Sequence, residues 1–428
     1  LSTTGDVLNP IQEAEFQRYI QAGGGYVGIH SASATEKDWD WYGQLTGAVF
    51  VNHPPNPVEG IVQVVDENDP STRHLPKRWK RKDEWYNFKK RLNDVHVLLT
   101  ADETTYEGGT NGPYHPLAWQ HNFDGGRAFY TALGHLDDAY EDPLFLQHIL
   151  AGIQYGMGEN KPLDYSKART ARLNANSPRI LVFSKTKGWK HTSIPFGIAA
   201  IQKLGNENGF LVDTTKNAAY FADDSLKKYR TVIFNNTTGN VLNGEQQAAF
   251  ERYIQAGGGY VGIHAAADTE YDWPWYGKLM GAPFASHPHN SNIRKASVDV
   301  TDKTHIATKH LPDRWERTDE WYNYRSFFSN IKVLANLDEN TYEGGTNGAN
   351  HPISWYHEYD GGRAFYTGSG HTDESFSEPM YLKHLLGGIN YAIGENKPLD
   401  YRKGYAKVTP EQNRFTKTIL VNDLNAPM

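Results

Sequence analysis

Eighteen histidines, fifty carboxylates and no cysteine define the chemistry open to this 428-residue chain. Without a thiol there is no disulfide, no thiolate metal site and no cysteine nucleophile. His264 is the most informative position. It follows Tyr260-Val-Gly-Ile263, an apolar run of the kind that forms a short buried strand, and its neighbours Gly262, Ala265 and Ala266 are small. A tight turn after a central strand is where several α/β folds expose a nucleophile, and such a turn needs small flanking residues. Imidazole in that slot can act as a general base or a metal ligand. It can also simply cap the following helix or bond a backbone carbonyl.

Other candidates lie at comparable junctions. Glu320 sits in Asp319-Glu-Trp-Tyr322. Adjacent carboxylates on a strand point to opposite faces, so one of the pair enters a pocket; Glu320 is taken as that one, as base, ligand or half of a buried salt bridge. His371 closes a segment that follows a predicted strand, and His191 lies in Lys187-Gly-Trp-Lys-His191 after another. His287 and its counterpart His53 precede prolines, which hold the backbone extended; each is a loop contact or a ligand. Trp355, His351, Trp273 and Trp119 are candidates for substrate contact, because flat aromatic faces with polar edges suit pyranose rings, although tryptophan is equally at home in a core. His384 and His148 fall on apolar helical stretches and read as core or interface histidines. His264, His371 and Glu320 together would have acceptable ligand chemistry for zinc, but they are too far apart in sequence for any spacing signal. The Gly-Gly turns at 108–109 and 344–345 fit neither a dinucleotide nor a P-loop fingerprint, so no cofactor beyond a divalent metal such as zinc is expected.

An internal repeat positions these residues. Residues 5–54 match 239–288, and after a two-residue length change the match resumes from His74/His310 to Tyr165/Tyr401. The predicted organisation is a domain over 1–165, a linker over 166–176, a complete domain over 177–401, and a C-terminal segment over 402–428. Only the second copy opens with a β-α-β unit: a strand over 179–183, a helix over 194–208 and a strand over 231–234. The first copy enters at the loop that follows. Strand, helix, strand alternation with glycine at the junctions predicts a duplicated α/β three-layer sandwich with a mainly parallel sheet. Ligands in such sheets bind outside the carboxyl ends of the strands. His30, Glu84 and His135 of the first copy match His264, Glu320 and His371, so the same chemistry is written twice. A sheet lacking its opening strands exposes an edge, which implies a missing N-terminal segment or another piece to fill the gap; residues 415–421 are a strand-like candidate.

The motifs Gly257-Gly-Gly-Tyr-Val-Gly-Ile-His-Ala-Ala266, Trp275 to Ala282, Ser286-His-Pro288, Asp319 to Tyr322, His351-Pro-Ile-Ser-Trp355 and Gly361 to His371 resemble the ThuA-like trehalose-utilisation family. Residues 23–32, 83–86, 115–119 and 125–135 repeat most of them. The resemblance implies a fold like that of the class I glutamine amidotransferases and a role in sugar catabolism, on oxidised (3-keto) glycosides. With histidine where the amidotransferases have their nucleophile, it does not imply amidotransferase activity. Residues 411–428 resemble the opening of a sugar-dehydrogenase propeller domain, implying a chain cut from a longer one at both ends.

Composition narrows the partners. Forty-three basic and fifty acidic residues give a net charge of −7, and no basic field suits nucleic acid or an anionic membrane. No apolar run reaches the ~18 residues of a membrane span. The expectation is a carbohydrate-processing protein, periplasmic or secreted in a bacterium. Its work would be acid–base chemistry on a glycoside or keto-sugar by isomerisation, elimination or hydrolysis. The alternative is a non-catalytic glycan-binding or scaffold module beside a propeller domain.

Overall fold

The computed structural model describes residues 1–89, 94–159 and 161–408. They form two compact units: residues 1–175 with 206–209, and residues 176–205 with those described from 210 onward. The strand candidate at 415–421 and the propeller-like stretch at 411–428 lie outside the described residues. No described helix is long and apolar enough to cross a membrane.

The second unit is built on a nine-stranded sheet. From one edge, Leu211–Thr215, Arg179–Phe183, Thr231–Asn235, Gly259–Ile263 and Gly362–Thr367 pair in parallel. Pro352–Tyr359, Lys332–Asp338, Ile293–Val300 and Arg314–Glu320 then continue it antiparallel. The sheet is therefore half parallel and half antiparallel. Its inner parallel strands Arg179–Phe183, Thr231–Asn235 and Gly259–Ile263 read as largely apolar runs, as burial on both faces demands. Helices cover both faces. Phe234 stacks on Phe250 of the Gly244–Gln255 helix, with ring centroids 5.5 Å apart. On the opposite face Gly259 lies so close to the Pro379–Ile393 helix that a Cβ would sit 2.2 Å from the Ala392 carbonyl oxygen. The Gly244–Gln255 helix starts with a reciprocal cap between Asn243 and Gln246. It ends before Gly257, whose φ of +96° suits glycine.

The first unit repeats the last six strands of this sheet, in the order Gly25–Ile29, Gly126–Thr131, His115–Phe123, His96–Asp102, Val58–Val64 and Arg78–Asp83. Gly25–Ile29 is the outer strand. Against its free side lies only Leu1, whose ammonium donates to the Val27 carbonyl at 2.8 Å and whose carbonyl accepts from Ile29 at 2.9 Å. In the repeat register Leu1 matches Asn235, the last residue of the Thr231–Asn235 strand. Among the described residues no strand from elsewhere in the chain completes that edge.

Candidate functional site

The turn at His264 carries the site. The Gly259–Ile263 strand ends there, and the chain passes into a 3₁₀ turn over His264–Asp268. His264 has φ +43°, a left-handed conformation that a residue with a Cβ adopts only under constraint. The constraint is visible: the Tyr366 hydroxyl donates to the His264 carbonyl at 2.8 Å, and Asn236 Oδ1 accepts from the Ala265 amide at 3.2 Å. The ring is locked as well. Its Nδ1–H donates to the Gly368 carbonyl at 2.8 Å, and Tyr322 packs on its face at 4.1 Å between centroids. Nε2 is thereby turned toward Glu320.

Three side chains converge on one point. His264 Nε2 lies 3.0 Å from Glu320 Oε2, His371 Nδ1 lies 3.1 Å from the same oxygen, and the two ring nitrogens are 3.2 Å apart. Asn292 Nδ2 donates to the other carboxylate oxygen, and His287 Nδ1 stands 3.9 Å from it. His191 completes the group, its ring edge-on to His264 and His371 with centroids 5.3 and 5.0 Å away. Burial would raise the Glu320 carboxyl's pKa, but hydrogen bonds from the two imidazoles outweigh it and hold the group ionised, well below the usual carboxylate range. His371 is the converse: burial disfavours its charged form, yet Glu320 raises its pKa overall. His191 is pushed down to about 3 by burial and by the neighbouring His264 and His371, so it is a neutral imidazole.

Asp319 and Asp268 were not singled out by sequence reasoning. Asp319, fully buried, accepts from the backbone amides of Glu320, Gly370 and His371 and from the Ser375 hydroxyl, at 2.9–3.1 Å. It ties the strand carrying Glu320 to the loop carrying His371. Its place beside Glu320 was the one available signal. Burial pushes the Asp268 carboxyl up to about 6, near the His264–Glu320 pair; the first copy has Ala34 there, so only an asymmetry between the repeats could have flagged it.

The first unit brings His30, Glu84 and His135 together in the same pattern. His30 Nε2 and His135 Nδ1 are each 3.3 Å from Glu84 Oε2 and 3.2 Å from each other, and His30 Nδ1 bonds the Ala132 carbonyl. His30 has the same positive φ, +45°. His53 Nδ1 approaches Glu84 Oε1 at 3.3 Å. The His135 side chain is 38% exposed, against 15% for His371.

Several expectations need correction. Unlike the exposed nucleophile of such turns in other folds, the His264 ring is fully buried, and the accessible members of its cluster are His371 and the 37%-exposed His287. The tryptophans are interior. Trp355 and Trp119 are fully buried and donate to the Met280 and Thr46 carbonyls, closing the seam between strand and helix, so neither offers a face to a sugar. Trp273 is buried against Phe250 and donates to Glu251. His351 is buried between the Tyr322 carbonyl and Glu339, away from the cluster. These four were misread because an aromatic or imidazole side chain has the same composition signal whether it packs or binds.

An α/β unit with a histidine–carboxylate cluster at the carboxyl edge of its parallel strands, present twice, is the class of protein defined here. The chain belongs to the ThuA family, described as trehalose utilisation, whose model matches residues 1–156 and again 179–392. That membership carries a carbohydrate-related role. Among solved structures, a ThuA-like protein of Bacteroides uniformis is 26% identical over 53% of this chain and 97% of its own, with a TM-score of 0.46. A ThuA-like protein of Parabacteroides merdae is 20% identical over 54% of this chain and 99% of its own, with a TM-score of 0.43. No curated protein matches the chain.

Proposed function

We propose that the protein processes a glycoside or keto-sugar by acid–base chemistry at the His264–Glu320–His371 cluster. The observation that supports this most strongly is the convergence of Nε2, Oε2 and Nδ1 within 3.2 Å of one another at the end of a central strand. His371 is the member a substrate meets. Its raised pKa gives it a proton to deliver to a carbonyl oxygen, and Glu320 stabilises the charged form. The proton leaving the neighbouring carbon passes to the Glu320 carboxylate, whose Oε2 faces both imidazoles. The enediol so formed then collapses to isomer or elimination product. His264 also fixes the orientation of the carboxylate through its own locked tautomer.

Incubating the protein with a 3-keto glucoside in heavy water tests the reading. Deuterium should enter beside the carbonyl with wild type and not with Glu320→Gln or His371→Gln. Saccharide binding without exchange in wild type would instead favour a glycan-binding module.

A further inference from the structure

The geometry points to a divalent transition-metal site, of the zinc type, formed by His191, His264, Glu320 and His371. It rests on the reading above and shares three side chains with it: with an ion bound, those lone pairs would hold the metal, whose Lewis acidity would then polarise the carbonyl in place of the His371 proton. Each of the four residues offers one ligand atom, and these atoms all lie within 4.8 Å of one another. The three contacts among His264, Glu320 and His371 measure 3.0, 3.1 and 3.2 Å. Ligands 2.0–2.1 Å from a tetrahedral ion stand about 3.3 Å apart, so an ion would need those three atoms to move by only a few tenths of an ångström.

The surroundings are those of a ligand set. His264 donates Nδ1–H to the Gly368 carbonyl, as metal-bound histidines do to their outer-shell partners, so once an ion displaces the proton it shares with Glu320 the Nε2 lone pair faces the cluster. Asn292 occupies one Glu320 oxygen and leaves the other free to ligate. Asp319 anchors the His371 backbone. His191 adds an independent observation: it is 4% exposed, and its Nδ1 is buried without a hydrogen-bond partner. A buried polar atom left unsatisfied is destabilising. Nothing in the acid–base reading uses His191, whereas a metal site uses it as the fourth ligand. Three imidazoles and one carboxylate are borderline donors, which suit zinc and its transition-metal neighbours better than magnesium or calcium. Among the described residues the first unit brings together three such ligands, His30, Glu84 and His135, and a three-ligand set binds more weakly than one of four.

The test is a zinc chloride titration of the full chain, stripped with a chelator and read against a chromogenic zinc indicator. One tight equivalent per chain is expected, with affinity lowered at least tenfold in His191→Ala and the tight phase absent in Glu320→Gln. Less than half a tight equivalent in wild type, or coincident curves for wild type and His191→Ala, would overturn the site. Should a variant fail to fold, X-ray absorption of the zinc-loaded wild type decides: three imidazole nitrogens support the site, and one or none refutes it. Metal content is read without turnover, so this result and the deuterium result fail separately. Zinc binding without exchange removes the sugar chemistry alone, and exchange in a protein that takes up no zinc removes the metal alone.

Discussion

Asp319 and Glu320 are sequence neighbours with opposite tasks, and the pleat of one strand separates them. Alternation predicted that one carboxylate of the pair would face a pocket. What the other does depends on a loop that returns 51 residues later, and nothing local encodes that return. With Asp319→Ala, the Gly370 and His371 amides and the Ser375 hydroxyl lose a fully buried acceptor, and Arg317, whose guanidinium lies 3.6 Å away, loses a countercharge. We expect a loss of about 3–5 kcal/mol in urea denaturation of the second unit, together with loss of deuterium exchange. A change under about 1 kcal/mol would show that the loop is held by something else. His148 makes a second prediction. It is fully buried, bonds the Ser71 carbonyl through Nδ1, and is lowered by burial to about 4. The unfolded chain therefore takes up a proton near pH 6.5 that the folded unit refuses until about pH 4. Stability must fall as pH drops through that window, by about 3 kcal/mol for this one group. His148→Gln should be less stable at pH 7 but show a flatter acid limb; parallel pH profiles would contradict the assignment.

At the scale of elements, the pentapeptide Gly-Tyr-Val-Gly-Ile occurs in both copies and meets two environments. In the second unit it lies between Thr231–Asn235 and Gly362–Thr367 and is buried at every residue. In the first it is an outer strand, buried only at alternate residues. Periodicity and glycine placement made both strands legible, along with the Ile194–Asn208 helix. Less legible was the antiparallel half of the sheet. Lys332–Asp338 and the segment from His351 are strand-like in sequence, but the edge strand Arg314–Glu320 carries charges on its outward face and so reads as a polar segment rather than as a strand. The shared pentapeptide gives a direct comparison by hydrogen exchange. The Val27 amide, at the open edge, should exchange on the order of a hundredfold faster than that of Val261, which faces a neighbouring strand. Equal protection would mean that the edge of the first unit is covered in solution.

At the scale of the whole molecule, duplication poses the question of whether one chain has two working sites or one. The first-copy cluster reproduces the contacts of the second almost atom for atom, so chemistry alone would permit both. Three differences set them apart. Among the described residues no histidine joins the first cluster as His191 joins the second, Ala34 stands where the second has Asp268, and His135 is more than twice as exposed as His371. Exposure raises the local dielectric, which weakens each charge contact around Glu84 and loosens the side chains that must be held in place. A loop after the opening strand also forms one wall of a cleft at a sheet's carboxyl edge, and among the described residues it is seen in the second unit, with Trp189 and His191 on it. The Ser177–Tyr401 copy should therefore carry nearly all of the activity. Parallel assays of His30→Ala and His264→Ala proteins measure this directly. We expect His264→Ala to remove at least nine-tenths of the deuterium exchange, a loss of more than about 1.4 kcal/mol in transition-state stabilisation, and His30→Ala to change it by less than twofold. Equal losses would mean that the exposed cluster of the first copy works as well as the enclosed one, and that neither His191 nor the wall it stands on matters to the reaction.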